Sequence, residues 1–261
     1  MIRSDTLLKW FVPVPAGTTL MGDDDQTWLS KSFGNWRAEI TNPFKLLRTP
    51  VTQGIWDEVL GGSRALLDAR ALGSDADAYS KRMVTLGKDH PMTCVSYDEA
   101  VEFCVAASKK LKKSINLATE AEWEHACRCG TTSKYYWGED AADFAAHAWT
   151  RDSFSGSEKI RLHPVGQKSP NKWGLYDMIG LVDEWVRGAY PVAANGPYVD
   201  EAVYPIGGKR KDFSPPTNGD GRMVRGSSVL MSADCGTPGT KALRARTTRV
   251  AEIGFRVAMY D

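Results

Sequence analysis

The chain has 261 residues, 42% of them hydrophobic, which is enough to fill one large core. Its 33 basic and 32 acidic residues leave a net charge of +1, which excludes a strong overall field steering it toward nucleic acid or an anionic membrane. Five cysteines (Cys94, Cys104, Cys127, Cys129 and Cys235) form an odd, sparse set unlike the even framework of a small secreted domain, so the expected location is cytoplasmic, or exported if a signal has been removed.

At the start of the chain an acidic residue, Asp5, comes early and no sustained apolar run follows, so neither a secretory signal nor a membrane span is expected. Trp10-Phe-Val-Pro-Val-Pro15 reads as a strand. Val51 to Leu60 predicts a short helix with Ile55, Trp56, Val59 and Leu60 inward, closed by Gly61-Gly62. Ser96-Tyr-Asp-Glu99 is a capping box, and Ala100, Val101, Phe103, Cys104, Ala107 and Leu111 then recur at helical spacing. A second capping box, Thr119-Glu-Ala-Glu122, opens a helix with Ala121, Trp123 and Ala126 as apolar contacts, ended by Gly130. From Gly188 to Gly221 the composition turns to Gly, Pro, Asn and Asp, a long excursion of the kind that is functional or mobile. Gly254-Phe-Arg-Val-Ala-Met-Tyr260 closes the chain as a strand. No internal repeat or linker marks a boundary, so residues 1–261 read as one domain.

Familiar chemistry is thin. His90, His125, His147 and His163 are far apart in sequence, Cys127-Arg-Cys129 is too closely spaced for a metal knuckle, and no catalytic triad motif is found. Gly207-Gly-Lys-Arg-Lys211 lacks the pattern of a phosphate loop; it and Lys109-Lys-Leu-Lys-Lys113 read as solvated basic surface.

Several phrases, in order along nearly the whole chain, resemble the formylglycine-generating enzyme and sulfatase-modifying-factor family. They are Phe11 to Gly22, Pro50-Val-Thr-Gln-Gly-Ile-Trp56, His90 to Ala100, Asn116 to Arg128, Tyr136-Trp-Gly138, Pro164-Val-Gly166, Asn171 to Gly180, Glu184-Trp185, Val224-Arg-Gly226 and Gly254-Phe-Arg256. The resemblance implies an α+β architecture, an elaborated C-type lectin fold with little regular secondary structure. It makes Trp123, Trp137, Trp173 and Trp185 core or loop anchors first.

The same resemblance focuses function on the segment 222–258. Family oxidases carry two cysteines there that bind copper as thiolates, a soft ligand set suited to cuprous copper. Aligned from Arg225-Gly226, the first expected cysteine falls at Met231 and the second one position away from Cys235. The remodelled loop points to a non-catalytic protein that binds a protein or other macromolecule, similar to the variable proteins of diversity-generating retroelements; no nucleic-acid partner is indicated. Its candidate contacts, expected to be exposed, are Val229, Leu230, Met231, Ser232, Asp234, Thr237, Lys241 and Arg246. The alternative is a copper-dependent oxidase with an altered site and Cys235 as its thiol. The family also implies a calcium ion, at Asp177, Gly180, Val182 and Glu184 in this chain, while His147 removes a second such site.

Overall fold

The two capping boxes form as their residues predict. The computed structural model describes residues 7–22, 36–73, 77–156, 158–190, 209–212 and 217–261, so most of the 188–221 excursion lies outside the described residues. Helix α1 is Gln53–Val59, α2 is Ala78–Met83, α3 is Tyr97–Leu111 and α4 is Glu120–Arg128. At the head of α3 the Ser96 hydroxyl accepts the Glu99 N–H (3.3 Å) and the Glu99 carboxylate accepts the Ser96 N–H (2.8 Å). Thr119 and Glu122 repeat the arrangement at α4 (3.2 and 2.7 Å). Each box satisfies two of the orphan donors that a helix start leaves. Helix α4 stops one residue earlier than Gly130 suggests, because Cys129 itself takes the left-handed conformation at φ 44°. Between α1 and α2 runs a short helix, Ser63–Leu67, continuing into a π turn at Asp68–Leu72.

Strands β1 (Phe11–Val14), β4 (Phe44–Leu47), β5 (Ser114–Leu117) and β11 (Val257–Tyr260) make a four-stranded antiparallel sheet in the order β1-β4-β11-β5. Both strands read from the two ends of the chain therefore lie in one sheet, flanking β4. A second sheet has the order β10-β6-β8-β9, from Ile253–Phe255, Asp183–Trp185, Gly221–Arg225 and Lys241–Ala245; β10 runs parallel to β6 and the other pairs are antiparallel. A third joins β2 (Gly17–Met21), β3 (Trp36–Ile40) and β7 (Lys209–Lys211).

Apolar side chains divide between two cores according to strand alternation. Phe11, Leu47, Val224, Val257 and Phe255 enter one, with Trp56, Phe103 and Trp185. Their neighbours Val12, Leu46, Met223 and Ala258 enter the other, with Trp36, Trp123 and Tyr136. Helix α4 departs from an ordinary amphipathic pattern: Glu120, Glu124, His125 and Arg128 are buried alongside Ala121, Trp123 and Ala126. Carboxylates are kept inside only where cations meet them, and here Arg128 of α4 is joined by Arg225 and Lys241 of the closing segment.

Candidate functional site: the closing loop and its supports

Arg225, fully buried at the end of β8, places its guanidinium against Glu124 and, at 3.5 Å, against Glu120 on α4. The same guanidinium donates to the carbonyls of Gly239 (3.0 Å) and Pro238 (2.9 Å), drawing the far limb of the loop onto the helix. Lys241 bonds Glu120 at 3.0 Å, Arg128 bonds Glu124 at 2.9 Å, and the Tyr190 hydroxyl reaches Glu120 at 3.2 Å. Burial lowers the pKa of Lys241, and the adjacent carboxylate of Glu120 opposes the shift. Two buried carboxylates thus meet three cations, the condition under which buried charge is tolerated.

The loop leaves β8 through Gly226 at φ 100° and Ser227 at φ 66°. A Cβ on Gly226 would stand 3.0 Å from the Trp123 ring, so both the backbone angle and the close approach call for glycine. Val229 N–H donates to the Leu181 carbonyl (3.1 Å), Arg151 N–H to the Met231 carbonyl (3.0 Å), and Ala233 N–H to the Asp152 carboxylate (2.7 Å). Gly236 packs so tightly on Phe144 that a Cβ there would lie 2.6 Å from the ring. A short 3-10 turn, Ala233–Cys235, crosses the tip.

These constraints sort the candidate contacts. Met231 (38% exposed), Asp234 and Arg246 stand in solvent, and Leu230 and Ser232 are half-buried. Val229 and Thr237 correct the expectation of exposure: Val229 is wholly buried in the first core, and Thr237 is covered while its N–H binds the Thr240 hydroxyl. Lys241 is also no open contact, since its side chain is 7% exposed and its ammonium is committed to Glu120. Arg246 forms an exposed ion pair with Asp98 at 3.4 Å. The Ser232 hydroxyl bonds the Asp234 carboxylate and holds its pKa down. Cys235 is exposed beside the Ser232 hydroxyl (3.6 Å), whereas Cys94, Cys104, Cys127 and Cys129 are buried and all five thiols are free.

The expected calcium ligands lie on the adjoining segment. Asp177 is buried, which pushes its carboxyl up to about 6, and the Gly166 N–H bonded to it (2.7 Å) and Arg256 act against that rise. A buried carboxylate under this penalty fits a hard cation, which would stabilise the charged form. Glu184 is differently placed: Arg256 donates to both of its oxygens (2.7 Å at the closest to each) and the Trp123 N–H adds a bond of 2.8 Å. Asp177 is therefore the charged donor in the set, with the backbone oxygens of Gly180 and Val182 beside it in sequence. Gly180 O accepts the Val182 N–H at 2.9 Å.

The model of the sulfatase-modifying factor enzyme 1-like domain matches residues 3–260. The chain belongs to this family. It is 29% identical to the formylglycine-generating enzyme of Mus musculus over 186 residues, covering 65% of this chain and 44% of that protein. To the inactive C-alpha-formylglycine-generating enzyme 2 of Bos taurus it is 28% identical over 189 residues, covering 65% and 50%. The chain thus spans about half the length of these relatives. Among solved structures it is similar to PvdO from Pseudomonas aeruginosa, with a TM-score of 0.73, 26% identity and coverage of 96% and 94% of the two chains. Variable protein 1 of Treponema denticola gives a TM-score of 0.72 at 24% identity, covering 96% and 95%, and shares the fold. Family membership and these folds agree with the α+β C-type-lectin reading.

The anchoring ions were not foreseen from sequence. Their signal was present in Thr119-Glu-Ala-Glu-Trp-Glu124, where carboxylates at i and i+4 fall on the same face of a helix that also carries Ala121, Trp123 and Ala126 as core contacts.

Proposed function

We propose that this chain is a non-catalytic member of its family that binds a protein or other macromolecule through the exposed part of the closing loop: Leu230, Met231, Ser232, Asp234 and Arg246. The observation that carries this reading is the loop's thiol chemistry. Met231 stands where the first family cysteine is expected, and Cys235 is its single, displaced thiol, with the other four cysteines buried elsewhere. A rigid base under an exposed tip suits recognition, because little order has to be imposed on binding. The fold shared with a variable protein and the similarity to an inactive relative are consistent with it. Calcium held by the Asp177 carboxylate with the backbone oxygens of Gly180 and Val182 belongs to the same proposal as a structural ion; Glu184, expected as a further ligand, is committed to Arg256 and Trp123.

The second reading, a copper-dependent oxidase using Cys235, is favoured by the exposure of that thiol and by the activity named for the mouse relative. Oxygen uptake with a cysteine-containing peptide and added copper separates the two. The binding reading expects no uptake above the level given by Cys235→Ala, and uptake abolished by that substitution overturns it.

A further inference from the structure

A cavity of about 630 Å³, to which the closing loop contributes no residue, lies between α1, the Lys88–Asp89 turn and the strand exit at Arg48. Its volume is that of a site for a small organic molecule. Leu7, Ile55 and Val165 supply apolar lining, and Tyr176 and Trp10, the latter 38% exposed, supply aromatic rings.

The walls are held by the protein itself. On one side the Tyr176 N–H donates to the Arg48 carbonyl (2.9 Å), while the buried Arg256 guanidinium donates to the carbonyls of both residues (3.3 Å to Arg48 and 2.9 Å to Tyr176). On the other, the buried Gln53 side chain donates to the Thr85 carbonyl (2.8 Å) and accepts the Gly87 N–H (3.1 Å), which fixes the turn carrying Lys88 and Asp89. The Gly54 N–H donates to the Lys88 carbonyl at 3.0 Å, and a Cβ on Gly54 would stand 2.9 Å from that oxygen. Glycine permits the approach. The Val165 N–H bonds the Asp89 carbonyl at 2.8 Å and so joins the turn to the next wall.

Charged side chains of both signs line the cavity, but they are not equally available. Lys110 bonds the Glu58 carbonyl and lies 3.8 Å from its carboxylate, and Asp57 accepts both the N–H (2.8 Å) and the hydroxyl (2.7 Å) of Ser63. Arg48 and Lys88 are exposed and form no ion pair among the described residues; of the lining carboxylates, Asp89 shares that condition.

We propose that this cavity binds a small amphipathic anion, a carboxylate carrying an aryl or branched alkyl body. Arg48 presents the planar fork that pairs with a carboxylate through two hydrogen bonds, and Lys88 adds a second cation. The body lies against Leu7, Ile55 and Val165, between the rings of Trp10 and Tyr176. Two uncommitted cations against the single carboxylate of Asp89 favour an anion over an amine. Preformed walls lower the ordering cost of binding. The inference is independent of the closing-loop reading, because the two sites share no residue.

The test titrates hydrocinnamate into the whole chain by calorimetry and saturation-transfer NMR, against hydrocinnamamide and phenylpropylamine, which keep the body and change the charge. The acid binds, the amide binds about tenfold more weakly and the amine does not bind. Arg48→Gln weakens the acid by about tenfold, the loss of one charge-assisted hydrogen bond, Lys88→Gln weakens it less, and Trp10→Ala weakens acid and amide alike. Lys113→Gln, an exposed cation outside the cavity, leaves binding unchanged. Both lining cations are exposed, so their replacement spares the core, and thermal melts check that each variant is folded. No binding of the acid, an amide as tight as the acid, an amine tighter than the acid, or acid binding undiminished in folded Arg48→Gln and Lys88→Gln overturns the proposal.

Discussion

On helix α4, Glu120 and Glu124 are each about 1% exposed and are met by Arg225, Lys241 and Arg128, whereas Met231, Asp234 and Cys235, on the loop those cations support, stand in solvent. Both regions are polar, but their polar groups do different things. Inside, charge is bound to charge and to the carbonyls of Pro238 and Gly239, which fixes where the loop begins and ends. At the tip, side chains bond mainly to one another over short sequence distances, as Ser232 does to Asp234. A surface held from beneath can change its exposed residues without losing its base.

The contrast predicts unequal costs of mutation. Glu124→Gln leaves Arg225 and Arg128 in the interior with a neutral partner, and urea unfolding is expected to show a loss of about 3–5 kcal/mol, the usual result of breaking a buried ion pair from one side. A loss below 1 kcal/mol would mean that the network is ornamental to stability.

Calcium binding at Asp177 ranks next. At a hundredfold excess over Kd the ion adds about 2.7 kcal/mol to the folded state, read as a higher Tm in calcium than in chelator. Asp177→Ala abolishes the difference. An unchanged Tm in the native chain removes calcium from the account.

Asp183 gives a smaller effect whose sign depends on pH. Its folded pKa, about 7, lies above the ordinary value of 3.8, so the folded state holds the proton more tightly. Stability from this group is full below the ordinary value and declines as pH rises through 7. Asp183→Asn should therefore raise Tm relative to the native chain at pH 8 and leave it nearly unchanged at pH 4. The opposite order would show that Asp183 is stabilised as a carboxylate.

At the tip, Met231→Ser and Asp234→Asn are expected to shift stability by less than about 0.5 kcal/mol, as surface substitutions do. Chemical denaturation checks this directly. A larger loss at either residue would place it with the base and dissolve the contrast.

Much of the architecture was legible in the sequence because its signals are local. Ser96 with Glu99 and Thr119 with Glu122 specify their helix starts within one turn. The ordered family phrases then carried the fold. The site was less legible because its geometry depends on long-range partners: Arg225 is 101 residues from Glu124 in the chain, and nothing in a local window pairs them. The same limit explains Val229, Thr237 and Lys241. Their position in the closing loop suggested exposure, while Leu181, Thr240 and Glu120 hold them down.

The central claim is that the closing loop has exchanged family copper chemistry for recognition. A cuprous titration against a chromophoric chelator, run on the native chain and on Cys235→Ala, tests it most directly. The account predicts no tight stoichiometric copper in either protein, and one tightly held cuprous ion per native chain, lost in Cys235→Ala, would contradict it.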